Sequence, residues 1–291
     1  MADTLNFDKL VIDRVVDAWF EDKSSHDLLA VLDQISTLSI NTSSESKDKT
    51  DAQGNLIKRY FTSKSVEVTG ENAVVSLNLM GVQTGTGTST GTDVTGVPRI
   101  IQIAKTNLPI ALPEIPNGVT ASDSDFTDDS VVVYGTFDNG LVDVSKKYTR
   151  AASAGVDTYA ITVADGIASL TLPTNATASV QVKYEYNITG DKLAARVDQD
   201  GKSFPKECKA TFRVLASDIC STDVSRVLYI VFPAFQMSPD FDWTVDTEST
   251  QSFTATALKD YCAKKQLLFY VAMAEDSDEW DAIINEDHDF S

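Results

Sequence analysis

Acid–base and metal chemistry draw most often on histidine and cysteine, and this chain has two histidines and three cysteines in 291 residues. His26 lies in the turn-like run Lys23–Asp27. His288 lies among Glu286, Asp287 and Asp289, where a charged tail is a simpler reading than a metal site. Cys208, Cys220 and Cys262 form no metal-ribbon or redox spacing and read as reduced thiols, with a Cys208–Cys220 bridge as the alternative. Gly201-Lys202-Ser203 imitates the end of a phosphate loop, but the glycine that motif requires at position 196 is Arg196. Gly85, Gly87 and Gly91 follow GxGxxxG, which is not the dinucleotide fingerprint. The acidic run Ser122–Asp129 lacks the glycine and closing glutamate of a calcium loop, so a solvated loop is expected. These residues assemble no catalytic, cofactor or metal site, and a non-enzymatic role without cofactors is expected.

Charge narrows the partners. The formal net charge is −19, which opposes a reader of nucleic-acid phosphates. Eight of the 43 acidic residues fall within Glu275–Ser291, which has no Lys or Arg; the remainder keeps 35 acids against 24 bases, a net of −11. No apolar run is long enough for a membrane span, and the polar start MADTLNFDKL has no signal-peptide core, so no membrane partner is expected.

The stretch Leu28–Met80 organises the rest. Thr37–Ser46 is rich in β-branched residues, DAQGN at Asp51–Asn55 is a turn cluster, and Leu56–Phe61 alternates again. Together they predict a long hairpin with a polar tip, followed by a sheet segment at Lys64–Thr69. Upstream, Arg14–Glu21 reads as a strand pairing with Leu28–Leu32, with a short helix over Asp13–Phe20 as the competitor. Gln83–Gly96 is almost all Gly and Thr and reads as a flexible linker. Arg99–Ala104 is a short strand, and the three prolines of Leu108–Pro116 suggest an extended boundary. Short strands then recur at Val131–Tyr134, Tyr159–Val163, Ala168–Leu172 and Ser179–Tyr186, as in a small sandwich. In the last third, Lys206–Ala216, Val227–Phe232, Thr250–Leu258 and Leu267–Met273 read as strands, with a turn of helix at Ser221–Arg226.

The succession LDQISTLSINTSSESKDKTDAQGNLIKRYFTSKSVEVTGENAVVSLNLMG resembles major tail tube proteins of long-tailed bacteriophages. The closing SFTATALKDYCAKKQLLFYVAM looks like that family's last two strands. The resemblance implies a mainly β fold: a tail-tube-type β-sandwich or half-barrel with a long hairpin and a short helix. It also implies an added immunoglobulin-like module. The expected organisation is a discontinuous tube-like domain over 1–112 and 188–274, an inserted β-sandwich module over 113–187, and an acidic tail over 275–291. The implied role is a virion protein, assembled in the bacterial host cytoplasm. It would stack as homo-hexameric rings into the tail tube, beside other phage tail proteins, and pass DNA without specific binding. The expected subunit interface joins the basic hairpin residues Lys47, Lys49, Lys58, Arg59 and Lys64 to acidic tail residues such as Glu279 and Asp281. A capsid decoration or surface-binding β-sandwich protein is the competing class.

Overall fold

The computed structural model describes residues 10–91, 94–117, 119, 131–188, 193–218, 221–243, 245, 249–261 and 264–274. The elements of the first half are β1 (Leu10–Asp22), β2 (Leu28–Leu32), β3 (Ile35–Thr50), β4 (Leu56–Asn72), α1 (Leu77–Thr84), β5 (Thr88–Gly91), β6 (Val97–Ala104) and β7 (Ile110–Ala111). The second half adds β8 (Val132–Thr136), β9 (Val142–Arg150), β10 (Thr158–Ala164), β11 (Ile167–Thr171), β12 (Ser179–Tyr186), β13 (Ala194–Val197), β14 (Glu207–Asp218), β15 (Ser221–Met237), β16 (Gln251–Ala257) and β17 (Tyr270–Ala274). The fold is mainly β, with a curled half-barrel sheet. The alternation over Arg14–Glu21 resolves as strand, not helix, because β1 pairs along its whole length with β14. Ser221–Arg226, expected as a turn of helix, is instead the start of β15.

The chain divides into two units, 1–88 with 197–291, and 89–196. In the first, the sheet order is β2-β1-β14-β15-β16-β4-β3, with β17 also pairing β15. β15 is long enough to serve both: Val227–Val231 takes β17 and Phe235–Met237 takes β16. The inward face is aromatic. Phe20, Phe212, Phe232, Phe235 and Phe253 are each at most 1% exposed and meet mainly edge-on or tilted, with centroids 5.3–6.3 Å apart. Complete burial of such a ring contributes about 1.5–3 kcal/mol, so this cluster anchors the unit. Gly70 makes room for it: a Cβ there would lie 2.3 Å from the Phe253 ring.

The short helix α1 covers this core with Leu79. Ser76 caps it, its hydroxyl accepting from the Leu79 N–H, and Gly85 closes it with a left-handed backbone at φ 76°. Two buried amides tie it to β16. Gln251 Nε2 donates to Gln83 Oε1 at 3.1 Å, Gln83 Nε2 donates to the Ser252 carbonyl at 2.9 Å, and Gln251 Oε1 accepts from the Ser76 N–H at 2.8 Å. Gln83 and Thr84, expected in a flexible linker, are therefore buried helical residues. The linker reading fails again at β5, which pairs with β13.

In the second unit the strand path is β6-β12-β8-β9-β10-β11-β7. β9 and β10 are joined by only two parallel pairs. The four strands before that join and the three after it share one core, which includes Val133, Tyr148, Leu170, Val180, Val182 and Tyr184. This is a small sandwich. Val97–Ala104 pairs with β12 over eight residues, and Ile110–Ala111 pairs with β11, so both belong to this unit's sheet although they precede residue 113. The acidic run Ser122–Asp129 lies outside the described residues.

Candidate subunit interface

The hairpin of β3 and β4 begins inside the core and then leaves it. Ile35, Val66 and Val68 are buried, with Leu38 and Ile40 packed against them. From Asn41 to Ser65 every residue is exposed on both faces except half-buried Asp51. At the tip, the Asp51 carboxylate accepts from the backbone N–H groups of Gln53 and Asn55 and from Asn55 Nδ2. These hydrogen bonds, Asn55's first, hold the Asp51 carboxyl below its ordinary range. The turn is thus built locally, as the cluster DAQGN predicts.

Register decides which side chains share a face. Thr42 stands opposite Val66 and Ser44 opposite Lys64; Ser46 then stands opposite Phe61, with Thr62 as the extra residue. Beyond this bulge, one face of the ribbon presents Asp48, Arg59 and Phe61. The other presents Lys47, Lys49, Lys58 and Tyr60, and a second shift between Lys49 and Thr50 sets Leu56 opposite Thr50, away from the lysines. The basic cluster expected from sequence is therefore divided. Arg59 is committed to Asp48 across the strands, its Nε and Nη2 donating at 2.7 and 2.9 Å. That pair lowers the Asp48 carboxyl and raises the guanidinium. Lys64 lies below the bulge on the face continuous with the core. Lys47, Lys49 and Lys58 remain together, with Lys49 directly opposite Lys58 and the Lys58 ammonium 5.0 Å from the Tyr60 ring centroid. Glu279 and Asp281 lie outside the described residues.

Apolar side chains add to this surface. Leu56, Ile57, Tyr60 and Phe61 are 46–71% exposed, which is unusual for four neighbours on one element. Backbone is open as well. Among the described residues, β3 pairs only with β4, and β4 meets β16 only over Val66–Asn72. At the opposite end of the sheet β2, which among the described residues pairs only with β1, exposes Leu28, Leu29 and Val31. Such edges invite strand addition unless a partner covers them.

Residues with possible chemistry are occupied elsewhere. Cys208 is a free, buried thiol pushed up to about 12 by desolvation. Its Sγ contacts the Phe235 carbonyl at 3.4 Å. The Asp200 carboxylate takes the backbone N–H groups of Lys202 and Ser203, so the Gly201-Lys202-Ser203 run is a closed turn. His26 sits in the β1–β2 turn with φ 61°. The second unit has a groove of about 440 Å³ along Leu112–Asn117 and Gly166–Ala168, where the ionisable side chain is Glu114, 3.9 Å from Arg99. Among the described residues, no group of three His, Cys, Asp or Glu is arranged to hold a metal, and no helix is long and apolar enough to cross a membrane.

Among the described residues, the first unit thus ends its sheet in two unlike edge strands, β2 and β3, and extends the second as a projecting ribbon. No curated protein matches the chain. Residues 10–270 match the model of the YomU/Tube protein family, a family of structural phage proteins, and the chain belongs to that family.

Proposed function

We propose that this chain is the repeating subunit of a phage tail tube, stacked as homo-hexameric rings that conduct DNA during ejection. The observation that carries this reading is the ribbon Asn41–Ser65, which adds nothing to its own core yet exposes four large apolar side chains. The two ends of the main sheet are different surfaces, β2 and β3. A contact between unlike surfaces is head-to-tail, and it generates a ring when the rotation closes. The ribbon then reaches beyond the ring toward the next one. A net charge of −19 suits a wall that DNA passes without binding, since repulsion acts over about one Debye length, roughly 8 Å at physiological salt.

Negative-stain microscopy of the purified chain tests the reading. Rings or tubes with a continuous central channel are expected. Discrete small particles that bind a phage capsid would replace it with a decoration role. A solved assembly whose lumen is lined mainly by lysine would overturn the repelling conduit.

A further inference from the structure

We propose that the ribbon face bearing Lys47, Lys49, Lys58 and Tyr60 is the docking site for the acidic segment 275–291 of a second copy of this chain. The inference rests on the assembly reading above and identifies the partner of one surface within it. Its first support is an electrostatic conflict in the subunit. Lys49 and Lys58 are directly opposite each other, an arrangement that disfavours the hairpin unless an anion lies between them. Lys47 is two residues from Lys49 and shares its face, so three ammonium groups gather over two adjoining rungs. Glu45 and, nearer the core, Glu67 opposite Asn41 are the acids along this face, fewer than its three lysines. The other acids near the tip are engaged: Asp48, on the other face, by Arg59, and Asp51, in the turn, by Gln53 and Asn55.

Composition identifies the occupant. Segment 275–291 carries eight acidic residues and no Lys or Arg, and it follows directly on β17 at Ala274. Trp280, Ile283 and Ile284 are interspersed with those acids, matching the exposed Tyr60 beside the lysines. Seventeen residues reach up to about 56 Å when extended, ample to cross between stacked subunits. DNA, the other available polyanion, is disfavoured by the net −11 that remains on the chain without this segment. The ribbon leaves its own core with both faces exposed, so the segment covering it is assigned to a neighbouring subunit.

The test uses assembled full-length chain made from equal amounts of isotopically light and heavy protein. A carbodiimide couples lysine amines to nearby carboxylates, and the linked peptides are sequenced by mass spectrometry. Links from Lys47, Lys49 or Lys58 to residues 275–291 are expected, with about half of them joining light to heavy peptides, the random-mixing value. Truncation after Ala274, and separately K47E/K49E/K58E, should each raise the concentration needed for assembly about tenfold at low salt. That difference should disappear near 1 M salt, where the Debye length is about 3 Å. Adding Glu279→Lys and Asp281→Lys to the triple variant should restore assembly. Polymers that form normally after truncation, or that yield no tail-to-ribbon links, sink this inference and leave the tube reading standing. Links confined to one isotope would assign the segment to its own ribbon. Short duplex DNA retained by the intact chain, but not by the triple variant, would assign the face to phosphate. Absence of any polymer in all forms overturns the tube reading and this inference with it.

Discussion

Replacing Ser46–Thr62 by Asn-Gly cuts the ribbon at a matched rung, because Glu45 and Ser63 stand opposite each other and a two-residue turn can join them. The effect on the subunit follows from burial. Of the residues removed, only Asp51 is less than exposed, and the ion pair lost, Arg59–Asp48, has side chains 52% and 39% accessible. A solvent-screened pair of this kind contributes little to stability, so unfolding should shift by less than about 4 °C for a unit of this size. The effect on assembly is of another order. Leu56, Ile57, Tyr60 and Phe61 begin about half exposed or more, and covering each contributes roughly 1 kcal/mol. Four of them give about 4 kcal/mol, or nearly three powers of ten in the concentration needed for polymer. Calorimetry measures the first quantity, and sedimentation with microscopy the second. A folded, soluble monomer with a near-normal melting temperature is expected. Tubes at the normal concentration would refute the ribbon's part in assembly, and a loss of stability above about 5 °C would refute the claim that the ribbon stands clear of its core.

Other outcomes are equally specific. Gly70→Ala places a methyl 2.3 Å from the Phe253 ring and should cost about 1–3 kcal/mol in chemical denaturation, with Phe253→Leu relieving part of it. Cys208, with its thiol at about 12, should resist maleimide at pH 8 in the native chain and react fully in denaturant, as read by peptide mapping. Glu21 accepts from Lys209 at 2.7 Å, and that bond holds its carboxyl below the usual range. A depressed carboxyl stabilises the fold at pH above its unfolded value, about 4.3, and that contribution is lost as pH falls through the folded value. Lys209→Gln should therefore flatten the acid limb of a stability–pH curve while leaving its shape above pH 6 unchanged. The fragment Val97–Ile188 should fold by itself, because its core is formed from its own strands; a disordered amide spectrum would place the boundary elsewhere.

Much of this architecture was legible because half-buried strands write their faces as alternation. β1, β4 and β12 all did so, and the turn residues of Asp51–Asn55 announced the hairpin. β9 was not legible: Val142–Arg150 buries only Tyr148 and carries two lysines, so it has no apolar phase to read. α1 escaped for the opposite reason. Its buried positions include Gly81, Gln83 and Thr84, and the pairing of Gln83 with Gln251, 168 residues away, leaves no local trace. The basic cluster was visible as composition but not as geometry. One extra residue at Thr62 decides which lysines share a face, and a one-residue slip in a strand exchanges the two faces.

The pairing of β5 with β13 has a further consequence. The chain enters the second unit along Thr88–Gly91 and returns along Ala194–Val197, and these two segments are hydrogen-bonded neighbours. To the host, the intervening hundred or so residues amount to a loop whose ends are already joined. Closure entropy grows only with the logarithm of loop length, by about 0.6 kcal/mol per doubling, so the host is nearly indifferent to what the loop contains. The junction therefore works as a socket. A shorter turn, or an unrelated domain with adjacent termini, can be exchanged there without rethreading a strand. A tube built from such subunits would carry one foreign domain per subunit at regular intervals along its length.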